Sequence, residues 1–92
     1  YRSPLVAAWV LDDAAGVCES CGEPGYETDD GSLFLEVHHV VPLSIGGSDT
    51  VGNAVAVCET CHGKFHRWKH RVEFTEQLYQ RVSRLIREEI AV

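Results

Sequence analysis

The sequence predicts a small α+β domain that is stabilised by a metal ion. The chain has 92 residues, which is enough for one domain but too few for a large apolar core. Its four cysteines form two Cys-x-x-Cys pairs, a pattern typical of zinc sites. Short apolar runs typical of strands alternate with segments that have helical spacing. The hydrophobic fraction of 45% and the charged fraction of 24% are those of a folded globular chain.

The first predicted element is a helix that starts at Ser3 and Pro4. A hydroxyl at the N-cap followed by proline at the first helical position is a common helix start. Apolar residues with helical spacing follow, and Gly16 closes the segment. Residues 18–31 are rich in glycine, proline and aspartate, which predicts consecutive turns.

Two short strands and two more helices complete the predicted order. We expect strands at residues 33–37 and 54–57, separated by a loop at 40–52 that turns at Gly46-Gly47. A helix is expected from about residue 59 to 70. A further helix is predicted at about 74–90, because apolar residues recur there every three or four positions. We expect the second half of this apolar stripe to pack on the first helix, near Leu5 and Trp9, or on a second copy of the chain.

We expect residues 1–92 to form one domain, with a core at about 16–70 and the C-terminal helix at about 74–90. The sequence contains no methionine, which predicts that it is part of a longer protein. It has no apolar run of membrane-spanning length and no secretion signal, so no membrane association and a cytoplasmic, intracellular location are expected.

The cysteines predict one structural zinc site. Cys18-x-x-Cys21 and Cys58-x-x-Cys61 can each present two thiolates from a tight turn, and four thiolates complete a closed tetrahedral site. The alternative is a pair of disulfides in a secreted domain. Gly22 after the first pair and the helix expected after the second favour zinc.

Four histidines lie in two local pairs. His38 and His39 are adjacent at a strand end, and His62 and His66 are four residues apart, hence on one face of the predicted helix. That pair and one strand histidine could hold a divalent metal with three imidazoles, which leaves room for water or substrate. The other strand histidine would then be available as a base. The alternative is that these histidines only decorate the surface.

The combined pattern resembles the HNH endonucleases of the ββα-metal (His-Me finger) superfamily, in their four-cysteine zinc subtype. The residues that carry the resemblance are Leu35-Glu-Val-His38-His39-Val-Val-Pro42-Leu43, Gly46-Gly47, Asn53 and Cys58-x-x-Cys61-His62-x-x-x-His66. The resemblance is strongest to the nuclease domain of modification-dependent restriction endonucleases. It implies a ββα-metal core with a four-cysteine structural zinc site, flanked by an N-terminal and a C-terminal helix.

The resemblance also implies roles for individual residues. His39 corresponds to the general base, Asn53 to the asparagine that braces the loop and helps to orient the base, and His62 to the closing residue of the motif. The implied ligands of the catalytic metal, which could be Mg²⁺, Mn²⁺, Ni²⁺, Co²⁺ or Zn²⁺, are His38, His62 and His66. The implied ligands of the structural Zn²⁺ are Cys18, Cys21, Cys58 and Cys61. Glu36 shares a strand face with His38 and could hydrogen-bond a ligand histidine, or be solvated.

The implied activity is metal-dependent hydrolysis of double-stranded DNA to 5′-phosphate and 3′-hydroxyl ends. The net charge of −6 is unusual for a DNA-binding chain, but residues 37–72 carry four basic and two acidic residues. Phosphate contacts are therefore expected from this stretch; the candidates are Lys64, Arg67, Lys69, His70 and Arg71. The acidic N-terminal third predicts that a DNA-recognition domain elsewhere in the full-length protein, or a homodimer, supplies affinity. The alternative function is a non-catalytic, zinc-stabilised module that binds nucleic acid.

Overall fold

The computed structural model of the chain describes residues 2–89, which form a small α+β fold. Its helices and strands are, in chain order, α1 (Pro4–Ala14), β1 (Glu36–His39), β2 (Ala54–Val57), α2 (Glu59–Arg67) and α3 (Arg71–Arg81). Short 3₁₀ helices occur at Leu43–Ile45 and Val51–Asn53, in the loop between the strands. None of the helices formed by residues 2–89 is long and apolar enough to span a membrane.

Helix α1 begins and ends where the local sequence predicts. The hydroxyl oxygen of Ser3 accepts a hydrogen bond from the backbone N–H of Val6 at 3.3 Å, so it caps the helix in which Pro4 is the first residue. The chain leaves the helix through Ala15, with φ of 52°, and Gly16, with φ of 82°. These left-handed conformations turn the backbone into the first cysteine pair.

The two strands form an antiparallel sheet in which His39 pairs with Ala54. β2 has the predicted bounds, and all four of its residues are buried, which agrees with its fully apolar sequence. β1 lies about three residues later than predicted. Leu33 forms an isolated β-bridge with Glu27, and Phe34 donates its backbone N–H to the carbonyl of Tyr26. Leu33 and Phe34 therefore pair with the preceding loop and not with β2.

The core lies between the sheet and the helices. α1 packs on β2, and α2 packs on β1 and on α3. Val10, Val55, Val57 and Leu78 are the largest apolar side chains that are fully buried. Burial of each such side chain contributes roughly 1.5–3 kcal/mol, so these contacts fix the position of β1 and α2, which carry the histidines.

Helix α2 is shorter than predicted. It begins at Glu59 as expected but ends at Arg67, because Trp68 adopts an extended conformation with ψ of 141°. The apolar residues beyond this point are less buried than Phe65 within the helix: Trp68 is 37% exposed and Val72 is 68% exposed. His70, the predicted last residue of this helix, instead occupies the N-cap position of α3.

The prediction of a helix at 74–90 was wrong in its extent. α3 ends at Arg81, and Val82 is extended. The chain then runs back along the molecule, where Ile86 donates its backbone N–H to the carbonyl of Gly52 at 2.8 Å and Arg84 binds Glu19. These long-range bonds replace the continuation of the helix. Residues 82–89 are referred to below as the C-terminal segment.

The predicted packing of the apolar stripe is only partly observed. Val82 is buried, and Leu85 is partly buried against the core. Leu5 on α1 remains 82% exposed, and the contact with Trp9 is made by the guanidinium of Arg84, 5.4 Å from the ring centre. Ile90 lies outside the described residues.

Candidate active site and zinc centre

The four cysteines converge on one point. Their sulfur atoms all lie within 4.8 Å of one another, and Cys21 and Cys58 are 3.9 Å apart. Four thiolates at about 2.3 Å from one zinc ion would be separated by about 3.8 Å, so the donor set fits tetrahedral zinc. The cluster joins the turn after α1 to the start of α2, where Cys58 occupies the N-cap position.

The first cysteine pair has the geometry of a zinc knuckle. The backbone N–H of Cys21 points at the sulfur of Cys18 at 3.4 Å, and Gly22, with φ of 80°, closes the turn. Burial raises the pKa of the Cys18 thiol, but hydrogen bonds from the surrounding backbone outweigh it and lower the pKa to about 7. Burial raises the pKa of the Cys61 thiol. A metal ion would therefore bind one thiol that ionises readily and others that it must deprotonate.

The three histidines that were predicted to bind the catalytic metal form a second cluster. Their candidate ligand nitrogens lie within 4.8 Å of one another, and Nε2 of His62 is 3.1 Å from Nε2 of His66. Two nitrogens that bind one ion at about 2.0–2.1 Å are about 2.9–3.4 Å apart, so this pair fits a shared metal. His38 on β1 supplies the third imidazole, with its ring centre 5.2 Å from that of His62 and 5.1 Å from that of His66.

His38 is held neutral by its surroundings. It is only 6% exposed and stacks on Phe65 with a ring separation of 4.7 Å. Burial, followed by the neighbouring imidazoles His62 and His66, lowers the pKa of His38 to about 3. Burial and His62 also lower the pKa of His66. Neutral imidazole is the form that binds a metal, so the cluster is suited to this role at neutral pH.

Glu36 contacts the histidine cluster. Its Oε1 lies 3.3 Å from Nδ1 of His62, on the ring nitrogen opposite the one that faces His66. A carboxylate in this place accepts the Nδ1–H, which leaves Nε2 available to a metal. Of the two alternatives predicted for Glu36, a hydrogen bond to a ligand histidine or a solvated carboxylate, this contact agrees with the first.

His39 points away from the three-histidine cluster but shares its cleft. Nε2 of His39 is 2.8 Å from Oδ1 of Asp49, a residue that was not predicted to be in the site. A cleft of about 290 Å³ between α1 and β1 is lined by Arg2, Glu36, His39, Asp49 and His62, among others. A neighbouring cleft is lined by Arg2 together with all of His38, His39, His62 and His66.

Asn53 is fully buried and braces the loop between the strands. Its amide nitrogen donates to the carbonyls of Val41 and Ser48, at 2.9 and 2.8 Å, and its side-chain oxygen accepts from the N–H of Val41 at 2.9 Å. The backbone carbonyl of Asn53 also accepts from the N–H of Val40. Asn53 therefore ties the start of the loop, just after β1, to the far end of the same loop, next to Asp49.

The predicted DNA-contacting residues are all exposed, but they do not form one patch. Arg67 lines a shallow cleft with His62 and His66. Lys64 lies over the Trp68 ring at 4.9 Å and lines a different cleft, together with Trp68 and His70. His70 stacks edge-on against Trp68 at 5.1 Å and is not part of the histidine cluster. The other two predicted DNA-contacting residues, Lys69 and Arg71, are also exposed. Arg2, which lines both clefts, was not among the predicted site residues.

Comparison with known proteins identifies the family. Residues 18–67 match the sequence profile described as HNH endonuclease, which is more than half of the chain. The chain belongs to the HNH endonuclease family. The matched region contains both cysteine pairs, the three-histidine cluster, His39 and Asn53. HNH endonucleases use a divalent metal, and the imidazole cluster provides a donor set for one.

Two proteins with restriction activity in their names are similar over most of the chain. The type IV methyl-directed restriction enzyme EcoKMcrA of Escherichia coli is 47% identical over 85 residues, which are 91% of this chain and 31% of that protein. The structure of the type IV phosphorothioation-dependent restriction endonuclease ScoMcrA superposes with a TM-score of 0.76 and 30% identity, covering 86% of this chain and 16% of that one. A shorter match, 36% identical over 36 residues, is to anaredoxin of a Nostoc species. The chain thus spans about a third or less of the two restriction enzymes.

Proposed function

We propose that the chain is the cleavage domain of a restriction enzyme and hydrolyses phosphodiester bonds in double-stranded DNA. The products would carry 5′-phosphate and 3′-hydroxyl ends. The observation that carries the proposal is the shared cleft, in which three imidazoles with metal-binding separations lie beside a fourth imidazole that is not a ligand. Family membership supports the same reaction.

His38, His62 and His66 are the residues that would hold the catalytic metal. A divalent ion bound there would neutralise the negative charge that develops on the scissile phosphate and on the leaving oxygen. Glu36 would keep His62 in the required tautomer. The three histidines come from one strand and one helix of the core, so their mutual positions are fixed before substrate binds.

His39 would act as the general base. As the water oxygen bonds to phosphorus, a proton passes from the water to His39 and the bond from phosphorus to the 3′-oxygen breaks. The 3′-oxygen takes its proton from solvent. Asn53 would contribute by holding the loop that packs against His39. Arg2, at the mouth of both clefts, is placed to contact a phosphate.

Recognition of the DNA target would lie outside these residues. The names of the two related enzymes specify different DNA modifications, methylation and phosphorothioation, although both proteins contain a domain similar to this chain. The net charge of −6 also predicts weak DNA binding by this domain alone. A separate recognition domain would supply affinity, and a homodimer would place two such sites to cut both strands. Exposed bases such as Lys64, Arg67 and Arg71 would make the phosphate contacts of the domain itself.

The proposal is tested by incubating the chain with supercoiled plasmid and Mg²⁺, Mn²⁺, Co²⁺, Ni²⁺ or Zn²⁺, each with and without EDTA. We expect nicked circles in at least one metal and none with EDTA. DNA ligase should reseal the nicks, since it requires a 5′-phosphate next to a 3′-hydroxyl. A His38→Ala, His66→Ala double variant should be inactive. Cleavage that persists in this variant, or that ligase cannot reseal, would contradict the proposal.

A further inference from the structure

We propose that Asp49 is a positioning residue that fixes the tautomer of His39, so that Nδ1 is the nitrogen that takes the proton from water. The inference deepens the proposed function and rests on it for the role of His39 as the base. Asp49 lies ten residues after His39, in the loop between β1 and β2, and belongs to no metal-binding pattern in the sequence.

The hydrogen bond between the two side chains defines the tautomer. Oδ1 of Asp49 is 2.8 Å from Nε2 of His39, and the two side chains are only 18% and 9% exposed. An ionised carboxylate can only accept, so Nε2 must carry the hydrogen. The hydrogen bond from His39 is also the main cause that lowers the pKa of Asp49, which keeps the carboxylate ionised. A neutral imidazole has one N–H, so the lone pair lies on Nδ1.

Nδ1 of His39 is the ring nitrogen that is not engaged by Asp49. Within residues 2–89, Nδ1 has no hydrogen-bond partner, and every buried side-chain nitrogen or oxygen there does have one. Nδ1 is therefore not buried, and His39 lines both clefts beside His62. A water molecule in the cleft could hydrogen-bond to Nδ1, whose lone pair can accept the proton of the water.

Asp49 is itself held at its second oxygen. Oδ2 accepts a hydrogen bond from the backbone N–H of Ser3, the N-cap residue of α1. The preceding residue, Ser48, is also held in place. Its backbone N–H and its hydroxyl donate to the carboxylate of Glu88, and the backbone carbonyl of Ser48 accepts a hydrogen bond from the side-chain amide of Asn53. The carboxylate of Asp49 thus connects the base to the start of α1. When His39 becomes protonated, the adjacent charge of Asp49 would stabilise the imidazolium.

The first test is a double-mutant cycle in the chain with its cleavage metal, with single-turnover plasmid nicking as the readout. Asp49→Asn should lower the rate at saturating protein by about 10- to 10³-fold, because an amide can also donate and so stabilises the wrong tautomer. The protein concentration for half-maximal rate should change by less than about twofold, since Asp49 does not bind DNA. In the His39→Ala background the same substitution should have almost no effect, because its partner is gone.

Asp30→Asn is the matched control. Asp30 is also an aspartate that accepts hydrogen bonds in a loop, from Thr28 and Ser32, but it lines neither cleft. The control substitution removes the same charge, so its rate should equal that of the parent. If Asp49→Asn slows the His39→Ala variant as much as it slows the parent, Asp49 acts through the fold or the metal, and the inference is wrong.

The second test does not require activity. Long-range ¹H–¹⁵N spectra of the zinc-loaded chain at mildly alkaline pH report which nitrogen of each histidine carries hydrogen. We expect His39 in the Nε2–H form in the parent and in Asp30→Asn, and a mixture of forms in Asp49→Asn. An Nδ1–H form in the parent would overturn the inference whatever the plasmid assay shows. An Nε2–H form in a chain that cuts no plasmid would refute the proposed function while supporting the hydrogen bond.

Discussion

His38 and His39 are adjacent in β1, yet the strand gives them different environments. Neighbouring side chains of a strand point to opposite faces. His38 turns into the core, where Phe65 covers it and the imidazoles of α2 meet it. His39 turns toward α1 and the loop that carries Asp49. One residue can therefore serve as a metal ligand and the next as a base without competing for the same ion.

Replacing His39 should slow DNA cleavage without disrupting the fold. We expect His39→Ala to lower the plasmid-nicking rate by about 10²- to 10⁴-fold, the usual contribution of general acid–base catalysis. Its zinc content should stay close to that of the parent and its unfolding should stay cooperative, because His39 is not a ligand. His70→Ala is the control for loss of an imidazole outside the histidine cluster: loss of a phosphate contact there should weaken DNA binding and leave the rate at saturating protein unchanged. Equal nicking rates for the His39→Ala variant and the parent would exclude His39 as the base.

The sequence predicted which histidines lie together in the candidate site better than the hydrogen bonds that orient them. The i, i+4 spacing of His62 and His66 places both on one helix face regardless of tertiary structure. Asp49 has no such local constraint. Its position depends on how the loop between the strands folds around Asn53 and on where Ser3 lies, and neither is encoded in a periodic pattern.

At the scale of secondary-structure elements, hydrogen bonds from Arg84 hold the C-terminal segment against the rest of the fold. Its guanidinium binds both carboxylate oxygens of Glu19 at 2.7 Å and donates to the carbonyls of Ala54 and Val51 at 2.9 and 3.2 Å. Glu19 Oε1 in turn accepts from the N–H of Ala56 in β2. Arg84 therefore links the segment to the first zinc knuckle and to the sheet.

The substitution Arg84→Ala should destabilise the fold by about 2–4 kcal/mol, because it leaves Glu19 and two carbonyls without their donor. Arg87→Ala is a matched control: Arg87 also forms a bidentate pair, with Glu76, but both side chains are more than half exposed. We expect its unfolding midpoint to be almost unchanged. Chemical denaturation followed by circular dichroism measures both. Equal midpoints for the two variants would mean that Arg84 does not fasten the segment.

The elements that sequence reasoning located well are those with local signals. Ser3 and Pro4 mark the start of α1, and β2 is a continuous apolar run. The end of α3 has no such signal, since the apolar spacing continues past Arg81 while the chain departs to reach Gly52. A periodic pattern shows that side chains are buried, but tertiary contacts decide in which conformation.

At the scale of the whole molecule, the two candidate metal sites should respond differently to loss of a ligand. Cys58→Ser removes a ligand from the site that joins the two halves of the chain, and structural zinc sites contribute on the order of 10 kcal/mol to folding. We expect loss of zinc and of cooperative melting. His66→Ala, whose side chain is exposed, should abolish nicking but keep a cooperative transition. Zinc analysis and calorimetry of the two variants measure the difference. A Cys58→Ser protein that melts like the parent would argue against the four-cysteine site.

The two cysteine pairs also determine the topology of the candidate active site. The first pair ends at Cys21 and the second begins at Cys58, so the 36 residues between them form a ring when zinc binds. His38, His39, Asp49 and Asn53 all lie inside this ring. Closing a ring of that size removes about 4 kcal/mol of chain entropy from the unfolded state, as a disulfide would. Metal–thiolate bonds can be removed by a chelator, so we expect removal of the metal to open this ring and to loosen the arrangement of the four side chains that lie inside it.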